Sequence, residues 1–326
     1  MEHRKLGATG PGVGAIGLGC MGMSGMYGPS ERSESIATIH AALEAGITLL
    51  DTGDFYGMGH NELLLAEALR GVPRESYQLS VKFGALRDRG GGWGGFDGRP
   101  AAVRNFLAYS LERLGTDYID VYRPARLDTQ VPIEETIGAI KDCVDAGWVR
   151  HIGLSEVGTE TIRRAAAVHP IADLQFEYAL VTRDIEDRVL PVCRELGIAV
   201  TAYGVLARGL IGGHWQAPTG KGDSRAHSPR FTGENVAANL ALVERLRAIG
   251  TANGRTVAQL AVGWALAQGC DIVPLIGARR RDQLDEALGA LAAPLDPAVV
   301  AELERAVPPG AIAGTRYPAM AMPKID

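Results

Sequence analysis

Short apolar runs alternate along this chain with longer stretches whose apolar residues recur every three or four positions, and the alternation predicts eight strand–helix pairs. Runs at 15–19, 47–51, 77–82, 118–122, 149–154, 172–176, 198–203 and 271–275 read as strands. Helices are predicted at 33–45, 61–70, 100–114, 134–146, 158–168 and 185–196, in the helical sequence that follows a long loop after residue 203, and at 281–291. In the first of these, Ile36, Ile39, Ala42 and Leu43 share one face. The strand runs are mostly apolar throughout, as strands covered on both faces are. The expected fold class is therefore α/β, a closed parallel (β/α)8 TIM barrel with its chemistry at the C-terminal ends of the strands.

Gly7, Gly10, Pro11 and Gly12 predict an N-terminal β-hairpin ahead of the barrel. An open doubly wound sheet is the competing architecture, and the string IGLGCMG places Gly17, Gly19 and Gly22 in a literal G-x-G-x-x-G. In a dinucleotide fingerprint the third glycine opens a helix; here MSGMYGPS follows, with two more glycines and a proline. The string reads as a glycine-rich loop at the barrel mouth. Nothing resembles a linker, so residues 1–326 are taken as a single domain.

Composition narrows the classes. With 46 % hydrophobic and 22 % charged residues the chain can bury a large core, and a net charge of −5 gives no electrostatic footprint for nucleic acid or an anionic membrane. No apolar run is long enough to span a bilayer and no signal peptide is visible, so a cytoplasmic location is expected. Cys20, Cys143, Cys193 and Cys270 lack C-x-x-C spacing and read as small core residues in a reducing compartment. The histidines show no ligand spacing, so no metal is expected.

The densest chemistry follows the second strand. The apolar run 47–50 stops at Asp51; Tyr56 and Gly57 make a turn, and a helix resumes from Asn61. Asp51 ends the second strand and Lys82 the third, which places both at one mouth with Tyr56 above them. A phenol with a pKa near 10 is a poor acid at neutral pH, and an adjacent ammonium is expected to lower that value. Asp51 would keep Lys82 charged, and Tyr56 would protonate a carbonyl oxygen as general acid. Singly, each of the three has a packing or solvated reading; together they read as a site.

The stretch DTGDFYGMGHNELLLAEAL, with its D-x-Y-G-x-G-x-N-E-x-x-L pattern, resembles the signature of the aldo-keto reductases, and the resemblance runs over nearly the whole chain. It implies NADPH-dependent reduction of an aldehyde or ketone, with hydride from nicotinamide C4, a proton from Tyr56, and Asp51, Tyr56 and Lys82 as catalytic residues. It also implies cofactor contacts at Met21, Gly22 and Asp51, hydrogen bonds from Ser155 and Gln175 to the carboxamide, and Tyr203 stacked under the ring. Leu206, Arg208 and Gly209, after the seventh strand, are likewise implied as cofactor contacts, and Gly277, Arg279 and Gln283 match the segment that takes the adenosine 2′-phosphate. The loop continuing to about residue 232, with Arg208, Lys221 and Arg225, is either a strap over the pyrophosphate or a surface insertion.

The sequence departs from the family pattern in three places. Gly204 and Val205 interrupt the usual A-Y-S-P-L form, and Ala287 stands where an asparagine is usual. More consequentially, IDVYRPARLD matches I-D-x-Y-x-x-H-R-x-D with Ala125 in place of the histidine. Arg123, two residues earlier and on the same strand face, is expected to supply part of the missing electrophilic assistance or to recognise a polar or anionic substrate group; a rim arginine paired with a carboxylate is the alternative. Substrate contacts are expected from Phe55, Tyr56, Trp93, Arg123 and Ala125, with Phe96, Met23 and Tyr27 nearby and GGGWGG either a lid carrying Trp93 or a plain surface loop. The A-R-x-D form is also similar to the pyridoxal-reductase branch. A slow-turnover, NADPH-binding regulatory or sensor subunit stands as the rival, because ion-channel β-subunits resemble this family too. The partner is a small carbonyl substrate, and a homo-oligomer is compatible with the sequence.

Overall fold

The structure, a computed structural model, describes residues 1–215, 217, 223–319 and 322; Lys221 lies outside them. The chain opens with an antiparallel hairpin of β1 (His3–Lys5) and β2 (Gly12–Gly14). The barrel strands are β3 (Gly17–Gly19), β4 (Leu49–Gly53) and β5 (Gln78–Phe83); after a second hairpin, β6 (Ala85–Arg87) with β7 (Trp93–Phe96), they continue as β8 (Ile119–Pro124), β9 (Val149–Ser155), β10 (Ile171–Glu177), β11 (Ala199–Tyr203) and β12 (Ile272–Gly277). They close in the order β10-β11-β12-β3-β4-β5-β8-β9, every neighbouring pair parallel.

Between them run α1 (Arg32–Glu44), α2 (His60–Ala68), α3 (Pro100–Leu114), α4 (Ile133–Asp145), α5 (Thr159–Val168) and α6 (Val189–Glu195). Two helices, α7 (Glu234–Ala252) and α8 (Val257–Ala267), fill the stretch before β12, and α9 (Arg281–Leu288) and α10 (Pro297–Ala306) close the ring. α8 starts on a capping box in which Thr256 and Gln259 satisfy each other's backbone N–H groups. α10 was not expected, although Asp296 caps Ala298 N at 2.7 Å and Pro297 occupies the first turn.

Strand alternation sorts neighbouring residues into different worlds. On β8, Tyr122 points outward, stacks on Phe83 of β5 at 4.3 Å and donates to the Val103 carbonyl of α3, while Arg123 points into the barrel. The N-terminal hairpin closes the opposite end from the strand C-termini: Leu6 and Val13, both fully buried, pack with Leu49, Val121, Ala199, Val273 and Leu275. Each such aliphatic side chain contributes about 1.5–3 kcal/mol on burial. Cys20, Cys143 and Cys193 are buried as expected, but Cys270 is exposed, because it sits in the turn between α8 and β12 where no element covers it.

Candidate active site

The non-glycine residues that adopt left-handed backbone among those described are Met58, Glu156, Ala207 and Arg208, and all four follow the C-terminal ends of barrel strands. Such conformations cost about 1–3 kcal/mol each and mark where the backbone is bent to serve a site.

At the centre of that face the Asp51 carboxylate gathers three donors. Lys82 Nζ lies 2.5 Å from Oδ1, and Ser80 Oγ and Gln175 Nε2 donate to Oδ2 at 2.9 and 2.7 Å. Parallel pairing of β4 with β5 opposes Asp51 to Ser80 and Gly53 to Lys82, so register delivers the ammonium to the carboxylate. Tyr56 follows in the β4 loop, where Gly57 turns the chain at φ +59 and a Cβ would meet His60 and Ser24. Lys82 Nζ lies 5.3 Å from the centroid of the Tyr56 ring, and Phe55 packs edge-on against Tyr56 at 4.8 Å. The structure therefore brings Asp51, Lys82 and Tyr56 together.

The expected tuning of the phenol is not what the charges produce. Burial, reinforced by the Asp51 carboxylate, holds Tyr56 well above the usual value of 10. Lys82 is itself pushed down by burial against the pull of Asp51, so it acts on Tyr56 as a partner already committed to a carboxylate.

Arg123 is not at the mouth. It is fully buried one layer below, with Nη1 2.9 Å from Asp173 Oδ2 and 3.2 Å from Thr201 Oγ1, and Nη2 donating to Ser80 Oγ at 2.9 Å. Side chains two apart on a strand share a face but differ in depth, and this one points into the packed interior, where Asp173 claims it. Through Ser80 it braces Asp51. Ala125 stands just past β8, buried, with its N–H on the Phe83 carbonyl at 2.8 Å. The next residue, Arg126, reaches the mouth instead and had been assigned no role; its only sequence signal is its place in the A-R-x-D string.

Of the cofactor candidates, Ser155 and Gln175 are buried beside Asp51 and Arg126, Tyr203 ends β11, and Met21 and Gly22 form the one short 3-10 turn after β3, consistent with a loop and not a fingerprint helix. Leu206, Arg208 and Gly209 lie in the turn after β11. That segment is tied across the rim: Tyr27 pairs with Asp223, Ser224 N donates to Met26 at 3.1 Å, and Arg225 grips Asp223. Gly277 ends β12; Arg279 donates to the carbonyls of Tyr27, Gly28 and Pro29, and Gln283 accepts from Arg279 N. Ala287 lies in α9 and is fully buried. Trp93 belongs to the β6–β7 ribbon, half-exposed against Arg87 and 5.8 Å from Phe55, whereas Met23 is buried in the core.

The C-terminal segment was not foreseen as part of the mouth. Arg316 donates to Glu156 Oε1 at 2.8 Å, and the Tyr317 hydroxyl meets that of Tyr203 at 3.0 Å and Arg126 Nη2 at 3.4 Å. Glu156 Oε1 also accepts from Glu177 N and the Tyr203 hydroxyl, while Glu177 pairs with Arg230 and Arg208.

Residues 15–308 match the model of the aldo/keto reductase family. The chain is an aldo-keto reductase family member. It is 44 % identical over 317 residues to a probable aldo-keto reductase 1 of Glycine max, covering 96 % of this chain and 91 % of that one. Among solved structures it is similar to a glycerol dehydrogenase from Gluconobacter oxydans (TM-score 0.84, 28 % identity, 94 % and 96 % of the two chains). It is also similar to the holo form of an aldo-keto reductase from Bacillus halodurans (TM-score 0.77, 28 % identity, 94 % and 96 %). Members of this family are oxidoreductases that act on small carbonyl compounds with a nicotinamide cofactor.

Proposed function

We propose that this protein reduces an aldehyde or ketone to an alcohol with NADPH, using Tyr56 as the proton donor. The observation that carries the reading is the Asp51–Lys82–Tyr56 cluster at the strand ends of a family barrel. Ser80, Lys82 and Gln175 converge on Asp51, and that contact orients Lys82 toward the Tyr56 ring. Tyr56, with its raised pKa, remains protonated across the physiological range and gives its proton to the carbonyl oxygen.

The donor set suits a nicotinamide dinucleotide. Arg280 pairs with Asp282 and Arg281 with Glu34, but no carboxylate pairs with Arg279 among the described residues, which leaves a guanidinium for a 2′-phosphate and favours NADPH. Tyr203 offers an aromatic face, and Ser155 and Gln175 offer hydrogen bonds to a carboxamide. When bound, the reduced nicotinamide supplies the hydride. The substrate carbon accepts it as Tyr56 protonates the oxygen.

The alanine at 125 favours a second reading, a slow cofactor-binding subunit, because loss of a polarising donor typically costs about 10²- to 10³-fold in rate. NADPH oxidation against aromatic aldehydes, diketones and pyridoxal separates the two. Turnover that disappears in Tyr56→Phe, with NADPH affinity kept, supports the enzyme. Tight NADPH binding with no Tyr56-dependent turnover supports the subunit.

A further inference from the structure

The histidine-less end of β8 carries an arginine that touches no carboxylate among the described residues. Arg126 is half-buried, and its acceptors are all neutral: the Ala125 carbonyl at 2.7 Å, Ser155 Oγ at 3.4 Å and the Tyr317 hydroxyl at 3.4 Å. The neighbouring arginines differ. Arg208 and Arg230 pair with Glu177, and Arg316 pairs with Glu156. Arg126 has no ion pair among the described residues. The nearest carboxylate, Glu156, already accepts at Oε1 from Arg316, Tyr203 and Glu177 N. Without touching either group, the Arg126 charge acts on the Glu156 carboxylate and on the Tyr56 phenol.

A half-buried guanidinium left with neutral acceptors is an anion receptor in waiting, since a carboxylate can take two parallel N–H donors from it. Ala125 alongside contributes no bulk and no competing donor. The Tyr317 hydroxyl meets Arg126 only at 3.4 Å and is held instead by the Tyr203 hydroxyl at 3.0 Å, so an anion can take its place on the guanidinium.

We propose that Arg126 binds a carboxylate on the substrate, so that the preferred substrates are carbonyl compounds with a carboxylate close to the C=O group, such as 2-oxo acids. This rests on the carbonyl-reductase reading. The reaction is then 2-oxo acid plus hydride from the reduced nicotinamide plus the Tyr56 proton, giving the 2-hydroxy acid; the carboxylate is bound and unchanged. A positive group beside the carboxylate also offsets the negative charge that otherwise repels an arriving hydride.

The test compares phenylglyoxylate with its methyl ester in the native protein, Arg126→Met and Arg126→Lys, each checked by thermal melting. Arg126→Met is expected to lower kcat/KM for the acid by about 10²-fold, as expected for truncating one side of a desolvated charge pair, and to change the ester by less than about threefold. Arg126→Lys recovers part of the acid rate, because a point charge remains without the planar fork. Equal losses for acid and ester, or none for either, overturn the proposal. Calorimetric titration of phenylglyoxylate into the protein, with and without NADPH, reads the receptor independently of turnover. Binding that is lost in Arg126→Met supports the proposal even if neither compound is reduced, an outcome that would count against the carbonyl-reductase reading alone. Absence of phenylglyoxylate binding to the native protein overturns it.

Discussion

Arg123 and Asp173 face each other at 2.9 Å inside the barrel, and neither side chain has any exposed surface. Burial raises the Asp173 pKa even against the pull of Arg123, so the pair is held at the edge of what its desolvation allows. Arg123→Met should destabilise the protein by about 3–5 kcal/mol in urea unfolding, because it strands a buried carboxylate. Arg123→Met combined with Asp173→Leu should recover more than half of that loss. Equal instability of single and double variants would show that the pair matters for shape and not for charge.

The raised pKa of Tyr56 has an optical consequence. Phenolate absorbance, taken as the native protein minus Tyr56→Phe, should show no titration below about pH 10 in the free protein. A component near pH 8 in that difference would mean that Lys82 dominates over burial.

Asp54, two residues before Tyr56, is nearly buried, and Oδ1 has no hydrogen-bond partner among the described residues. Burial, then the neighbouring Glu62 charge, pushes its pKa from the ordinary 3.8 to about 7. Between these values the native state holds a proton that the unfolded chain has released, so this contribution is complete below about pH 4 and is lost as the pH rises through 7. Asp54→Asn should therefore gain about 2–3 kcal/mol relative to native between pH 5 and pH 8, read from unfolding curves at the two values. A gap that is the same at both pH values would refute the assignment.

Arg316 governs the opposite sign. Burial pushes Glu156 up, but Arg316 and then Arg126 outweigh it and hold the carboxyl below its ordinary range. That stability is present above the ordinary carboxylate pKa and fades as the pH falls through the depressed one. Arg316→Ala should cost about 3 kcal/mol at pH 7 and distinctly less at pH 4, where Glu156 can take up a proton. Differential melting at the two pH values measures it.

The barrel was legible because strands buried on both faces are written as apolar runs, and the predicted runs match β3 to β5 and β8 to β12 to within a few residues. Asp51, Tyr56 and Lys82 were legible because they sit at the ends of such runs. The ribbon of β6 and β7 was not, since GGGWGG has no alternation to betray a strand. Arg123 was misplaced because strand periodicity fixes the face of a side chain and says nothing of its depth. Arg126 and Tyr317 were missed for a different reason: their meeting spans 191 positions of sequence, and no local pattern encodes it.

Gly153 on β9 lies against the same interior pair. A Cβ there would stand 2.6 Å from Asp173 Oδ1 and 3.1 Å from Arg123 Nε, and both of those atoms lack hydrogen-bond partners among the described residues. The arginine on β8 and the absent side chain on β9 are thus two halves of one volume decision. Shortening residue 173 removes the nearest of these contacts, so Gly153→Ala should be far milder in an Arg123→Met, Asp173→Ala background than in the native chain. The two positions are free to drift only as a set, which makes the barrel interior, and not the mouth, the place where this sequence is least able to change one residue at a time.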